Sequence, residues 1–524
     1  MTETVLTDAD RRQLEGLGIT QEQVLAQLQI FKKPPFSVRL VRNCIVGDGI
    51  IIIGPAQAEH YAKSQREAAG KGRFLKFVPA SGAATRMFKE LFEVRQRQDL
   101  DSMQAVMQAA AGGDPTAEKF KRFINNLPNY AFHDELQAIM ARDGLDLPRL
   151  INEGRFEPLL TYLLTERGLN YGSLAKGLLK FHRYPAGGRT AFEEHLIEAV
   201  EYARGADGVC RLHFTVLPEH RERFDALLAA ARRAYEEQYG VRFEVSFSYQ
   251  KASTDTIAAD LNNEPLRDQD GRLVFRPGGH GALLDNLGGL REYLVYIKNI
   301  DNVVPDRLKA ETYFWKHALG GLLVETERSV HGLLRRLKID SSAAIATEAE
   351  TLAREKLCIA FPDDYSHWPS SRRLSYLWSK LNRPIRVCGV VRNVGEPGGA
   401  PFWVAEPDGS CSIQIVEKAQ VNFVAADQEA LWNSSTHFNP VDLVCCMRDF
   451  EGKLFDLKHY ANPDAVFISK KSSNGRELQA LELPGLWNGG MADWITLCVE
   501  VPIITFNPVK TVDDLLRPEH QPGA

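Results

Sequence analysis

The sequence predicts an α/β protein, with a central mixed sheet flanked by helices, an N-terminal cap and a C-terminal α+β extension. Three observations carry that expectation. CRLHFTVLP, EHRERFDALLAAARRAYEEQYG and VRFEVSFSYQ follow one another as strand, helix and strand between residues 210 and 250, the order a sheet with helical crossovers requires. LKFVPASGAATRMFKEL, residues 75 to 91, reads as a buried strand, a loop of small side chains and a helix. YLVYIKNI, rich in β-branched and aromatic residues, reads as a further strand ending at Asp301 and Asn302.

In chain order, Thr7 and Asp8 cap a helix over ADRRQLEGLG, and ITQEQVLAQLQIF follows with apolar residues at helical spacing. Pro34-Pro35 then breaks the helix, and two short strands are expected around Gly47-Asp48-Gly49. This segment, residues 1–70, is read as the cap. Residues 71–425 form the expected main domain, with an all-helical insertion at 92–170 punctuated by Gly, Pro and Asn. Within it, Thr190 caps FEEHLIEAVEYA, with Glu193 placed for a capping box. Residues 426–524 are expected to complete the active site. Before that boundary IRVCGVVRNVGEPGGAPFWVAEPDGSCSIQIVEKAQVN, residues 385 to 422, is strand-rich, and after it Trp487 and Trp494 are read as packing residues.

Composition narrows the class. At 524 residues the chain is too long for one ordinary core. Acids and bases are mixed to a net charge of −5, without the basic stripe of a nucleic-acid binder. The opening MTETVLTDADRRQLEGLG lacks the pattern of a secretory leader, and no apolar run approaches the roughly 18 residues of a membrane span. The eight cysteines are scattered without a CxxC pair, so they are expected to be reduced thiols in the cytoplasm. Small-molecule partners are expected, with neither nucleic acid nor membrane among them.

Candidate chemistry gathers at the ends of the expected strands. Small side chains at Ala80, Ser81, Gly82, Ala83 and Ala84 let backbone N–H groups approach a ligand, and Thr85 and Arg86 lead into the helix. That pattern suits a phosphate cradle with Arg86 as a fixed cation. An ordinary strand-to-helix turn has the same pattern. Lys176 and Lys180 flank a short apolar segment, where a lysine can neutralise phosphate as a point charge. Gln250 ends a strand at the edge where ligands of open α/β sheets bind. Pro277, Gly278, Gly279, His280 and Gly281 make a second loop nearly bare of side chains. Asp301, at a strand's carboxyl end, is the type of ligand that Mg²⁺ bridging nucleotide phosphates takes.

Taken in order, these motifs resemble those of the UDP-sugar pyrophosphorylases, in particular the UDP-N-acetylhexosamine type. The family's AGGxGTR loop is similar to Ala80–Arg86, its PKG segment to Ala175-Lys176-Gly177, and its glutamine-ended strand to FSYQ at Gln250. Its base-binding loop resembles PGGHGAL, its VDN strand end NIDN, its EPVG and VVEYSE segments Glu396–Gly399 and IVEK, and its SPLKN motif NPVK at Lys510. The chain also resembles, throughout its length, a bacterial family defined only as a domain of unknown function.

The resemblance implies a nucleotidyltransferase fold, glycosyltransferase-A-like and Rossmann-like, that binds a nucleoside triphosphate, a sugar 1-phosphate and Mg²⁺. It implies that Arg86 and Lys176 hold the pyrophosphate end, Lys510 the α-phosphate and Asp301 the metal, while Ala80–Thr85, Gln250, Gly278, Gly279 and His280 bind the nucleotide. Glu417, Gly399 and Asn439 fall on the sugar side, Asn439 being also a candidate second metal ligand. Ser81 and Ala84 stand where the family has glycine, so a differently shaped loop is expected. His280 replaces an asparagine of the acetylhexosamine enzymes. Two functions follow as alternatives: a sugar-1-phosphate nucleotidyltransferase, or a catalytically silent nucleotide or nucleotide-sugar binder.

Overall fold

The computed structural model describes residues 6–33, 36–395, 398–438, 442–473 and 476–523. The chain divides into two compact units: Met1–Phe77 with Ser248–Ile297 and His317–Ile503, and Val78–Phe247 with Lys298–Lys316 and Ile504–Ala524.

The first unit is built on a mixed sheet. Its strands run in the order Ile45–Val46, Gly49–Ile51, Ile495–Glu500, Ile385–Arg392, Asp442–Cys446, Leu294–Lys298 and Phe74–Pro79. Ile385–Arg392 pairs parallel with Ile495–Glu500 and antiparallel with Asp442–Cys446, while Val295 stands beside Leu75 in a parallel pair. Residues buried on both faces, such as Val387 and Cys388, give these strands their near-continuous apolar character. The core on this sheet collects Phe77, Val295, Ile297, Leu443, Trp487 and Trp494 together with Cys44, Cys388, Cys445 and Cys498. All eight cysteines are free, and burial pushes the Cys446 thiol up to about 12, so it packs as a small hydrophobe.

A second, antiparallel sheet in this unit has the order Phe275–Arg276, Thr256–Ala259, Arg476–Glu482, Phe467–Ser473. The two expected N-terminal helices, Asp8–Leu17 and Gln21–Phe31, cover it. Thr7 and Thr20 both close capping boxes, and Leu14, Val24, Leu28 and Phe31 pack on Ile257, Ala259 and Leu481. A third sheet, Leu40–Asn43 with Ala400–Ala405 and Cys411–Val416, ends next to Glu417.

The second unit opens with the helical stretch expected after the small-residue loop: Lys89–Gln96, Met103–Ala111, Pro115–Asn125, His133–Arg142, Leu147–Asn152 and Phe156–Leu164. Lys180–Tyr184 and Gly187–Thr190 pair as a hairpin that turns at Pro185-Ala186. The Thr190–Glu193 capping box then starts the helix Ala191–Tyr202. Val209–Val216 and Arg242–Tyr249 are neighbouring strands joined through the helix Arg221–Tyr239. Among the described residues, no helix is long and apolar enough to cross a membrane.

Candidate functional site

In the second unit, backbone pairing draws four separate segments together. Ala80 is fixed by its N–H, which donates to the Thr215 carbonyl at 2.8 Å. Ala83 bridges Ala175, with the Ala84 N–H donating to the Leu174 carbonyl at 2.9 Å and the Lys176 N–H to the Gly82 carbonyl at 3.1 Å. The loop is therefore tied directly to the lysine segment. Among the described residues, the N–H groups of Ser81, Gly82 and Ala83 have no acceptor, and Gly82 and Ala83 are exposed.

No residue from Ala80 to Arg86 has a left-handed φ. Ala83 lies at φ −71°, ψ 146°, and Ala84 is fully buried. Ser81 and Ala84 thus occupy backbone that any L residue adopts, and their Cβ atoms impose no strain. Arg86 ends the short turn Ala84–Arg86, exposed and without a side-chain partner among the described residues.

Lys176 points inward. Its Nζ donates to Asp301 Oδ2 at 2.7 Å and to the Val509 carbonyl at 2.8 Å, with the two side chains only 14% and 18% exposed. Asp301 returns the tie, its carbonyl accepting the Val509 N–H at 3.1 Å. Next to it, Asn302 Oδ1 accepts the Asn507 N–H at 2.8 Å and Nδ2 donates to the Thr505 carbonyl at 3.3 Å. NPVK therefore arrives as a short antiparallel partner of Asp301-Asn302, with Asn302 bridged to Pro508. Lys510 follows, exposed, its N–H held by Asp514 Oδ2 at 2.8 Å.

Among the described residues, no three His, Cys, Asp or Glu side chains are arranged to hold a metal. Mg²⁺ on a nucleotide needs only one or two protein carboxylates, with phosphate and water supplying the rest. Asp301 fits that use and no all-protein cage, and the Lys176 ammonium is its partner in this structure.

The first unit holds the other set. Gln250 Nε2 donates to the Gly279 carbonyl at 3.2 Å, and the Leu483 N–H to the Gly278 carbonyl at 3.0 Å. Gly278 is needed for close packing, since a Cβ there would lie 2.5 Å from the Thr254 carbonyl, and Gly279 has φ +70°. The His280 ring stands edge-on to Trp487, with centroids 4.5 Å apart. Trp487 Nε1 donates to Glu417 Oε1 at 3.3 Å, and Asn488 Nδ2 approaches the same oxygen at 3.5 Å. Gly399 lies beside Glu417, a Cβ there falling 3.8 Å from Glu417 Cγ. Burial pushes the Glu417 carboxyl above its usual range, and among the described residues no cation pairs with it.

Gln250, Gly278, Gly279, His280, Gly399 and Glu417 are thus connected through Trp487 and Asn488, which sequence reasoning left out of the site. Asn439 and Glu396 lie outside the described residues. The described candidates for phosphate and metal belong to the second unit, and the described candidates for base and sugar to the first.

A family model matches residues 7–521. The chain belongs to the family described as Domain of unknown function (DUF4301). No curated protein matches this DUF4301 chain in sequence. Among solved structures it is similar to a mutant UDP-glucose pyrophosphorylase from Leishmania major in complex with UDP-glucose, at 13% identity and TM-score 0.44, over 98% of this chain and 79% of that one. It is also similar to the uridine diphosphate N-acetylglucosamine pyrophosphorylase from Trypanosoma brucei in complex with inhibitor, at 13% identity and TM-score 0.45 over the same shares.

Proposed function

We propose that this DUF4301 protein is a nucleotidyltransferase that condenses a nucleoside triphosphate with a sugar 1-phosphate, giving a nucleotide sugar and pyrophosphate. The observation that carries the reading is the second unit's cluster: three N–H groups at Ser81–Ala83 and the cation Arg86 after them, all without a partner among the described residues, and Lys176 tied to that loop by its own backbone while it pairs with Asp301. Each part is a means of handling phosphate charge.

The reaction is an in-line attack by a sugar-phosphate oxygen on the α-phosphorus, with pyrophosphate leaving. It asks for positioning and charge neutralisation rather than an acid or base. Ser81–Ala83 would receive phosphate oxygens on their N–H groups. Arg86 and Lys176 would neutralise the leaving pyrophosphate, and Lys510 the α-phosphate. Asp301 would hold Mg²⁺, which supplies charge neutralisation between phosphates when bound. Gln250, Gly278, Gly279 and His280 are assigned to the nucleotide, and Glu417 with Gly399 to sugar hydroxyls.

The assay is pyrophosphate release from nucleoside triphosphates across a panel of sugar 1-phosphates, with and without Mg²⁺. Release that needs both substrates and falls at least tenfold in Arg86→Met supports the reading; release indifferent to the acceptor refutes it. One observation favours a second reading, a silent nucleotide or nucleotide-sugar binder: the Asp301 carboxylate already has Lys176 at 2.7 Å. That reading expects bound nucleotide to be recovered unconsumed.

A further inference from the structure

We infer that Asn302 is a positioning residue that sets Lys510 and the Val509 carbonyl against the Lys176–Asp301 pair. The inference rests on the proposed phosphate chemistry and adds to it a residue that touches no reacting atom. Asn302 is 1% exposed, so its amide reaches neither solvent nor ligand. Both ends of that amide go to one segment, Oδ1 to the Asn507 N–H and Nδ2 to the Thr505 carbonyl. The side chain thus reads two backbone groups two residues apart, which fixes the segment's register as well as its distance.

That register decides the site downstream. Val509 follows Asn507 by two residues, and its N–H and carbonyl are the groups that meet the Asp301 carbonyl and Lys176 Nζ. A slip of one residue would turn the Val509 carbonyl away from Lys176. It would also carry Lys510 to the opposite side of the segment.

Asn302 itself stands on anchored ground. His195 Nε2 lies 3.2 Å from the Ile300 carbonyl, and the buried Lys298 Nζ pairs with Glu198 at 2.9 Å. Asp301-Asn302 is therefore the fixed member of the pair, and the segment from Thr505 to Lys510 is the one being placed. Aspartate would keep the acceptor for Asn507 but set a carboxylate against the Thr505 carbonyl. Alanine would keep neither bond.

The test is a pair of double-mutant cycles read by calorimetric titration of the full chain with Mg²⁺ and inorganic tripolyphosphate, which carries a phosphate for Lys510 as well as the pyrophosphate end. Asn302→Ala and Lys510→Met should each weaken binding about tenfold, the loss of one charge-assisted contact. The double variant should lose little more than either alone, because Asn302 acts through Lys510. Asn302→Ala combined with Arg86→Met should instead multiply the two losses, since Arg86 sits on another segment. General loosening of the fold would treat both cycles alike.

Should Asn302→Ala fail to fold, Asn302→Asp enters the same cycles. In Asn302→Ala, backbone hydrogen exchange at Asn507 and Val509 without any ligand should speed up together, and in Asn302→Asp exchange at Val509 should. Independent losses from Asn302 and Lys510, or exchange unchanged at both sites, overturn the inference while leaving the function standing. An unaltered chain that binds no tripolyphosphate overturns the proposed function and this role with it, whatever the exchange shows.

Discussion

Replacing Asp301 with asparagine separates the electrostatics of the site from its shape. The amide keeps the outline of the carboxylate and one oxygen for Lys176, and removes the charge. The pair is 2.7 Å long with both side chains over four-fifths buried. A hydrogen bond to a charged group contributes about 1.5–3 kcal/mol, and the remaining exposure, together with the Val509 carbonyl still accepting from Lys176, points to the lower part of that range. Asp301→Asn should therefore cost about 1–2 kcal/mol in urea unfolding. Anion binding should move the other way. Without Mg²⁺, the variant presents a lysine no longer neutralised and one negative charge fewer, so pyrophosphate should bind more tightly, by roughly five- to thirtyfold if the gain is again about 1–2 kcal/mol. Adding Mg²⁺ should strengthen binding to the unaltered chain and leave Asp301→Asn unchanged. Calorimetric titration with and without Mg²⁺ reads all four states. Weaker Mg²⁺-free binding in the variant, or a Mg²⁺ effect that survives the substitution, would refute both the metal assignment and the account of the ion pair.

Three further outcomes are expected. Burial holds the His520 imidazole down to about 3, where its Nδ1 lies 2.9 Å from His182 Nε2, His182 Nδ1 in turn meeting Glu194; the unfolded chain then binds the extra proton first, so stability should fall from about pH 6.5 towards pH 3 at up to about 1.4 kcal/mol per pH unit. His520→Asn should flatten that slope in pH-dependent urea melts, leaving the similar contribution of His213, held down to about 4; an unchanged slope would place the acid sensitivity elsewhere. Gly82→Ala should change stability by less than about 0.5 kcal/mol, because a Cβ there meets nothing within 4 Å, yet weaken pyrophosphate binding if phosphate approaches that backbone; Gly278→Ala, 2.5 Å from the Thr254 carbonyl, should destabilise by about 1–3 kcal/mol. Glu417→Gln should stabilise the chain above the usual carboxylate range, by up to about 1 kcal/mol, because a carboxyl raised by burial loses stability as pH rises, and it should weaken any sugar-phosphate binding; lower stability at neutral pH would contradict the reading of Glu417 as a half-buried carboxylate without a cation beside it.

What the sequence discloses depends on where the deciding contrast lies. The run from Leu75 to Leu91 is legible because its apolar strand stops at Pro79 and small residues follow, a contrast written entirely in local side chains. Thr190 and Glu193 announce a helix start for the same reason. The helix Pro55–Gly70 gives no such signal, because it buries Ala58, Ala62, Ala68 and Ala69 with Ser64 and Gln65 and shows no stripe of large apolar residues. Another helix, Lys309–Ile339, packs closely here: a Cβ at its Gly321 would lie 1.8 Å from the Tyr61 carbonyl. The site divides on the same line. Lys176, Asp301 and Lys510 stand out as charges near breaks in the chain, but their relation is set across 125 residues from Lys176 to Asp301 and through the carbonyl of Val509, a backbone atom no residue type encodes. Trp487 is read correctly as core, and the reading conceals that its indole N–H faces Glu417. Ser81 and Ala84 are a different case. Their identities predict a loop that does without glycine's left-handed backbone, and no residue from Ala80 to Arg86 has a left-handed φ. Residue type thus nominates the charges, and tertiary register decides which of them are already paired. For Asp301, that pairing means that a metal ion, if it is held there as proposed, would have to compete with the Lys176 ammonium for one carboxylate.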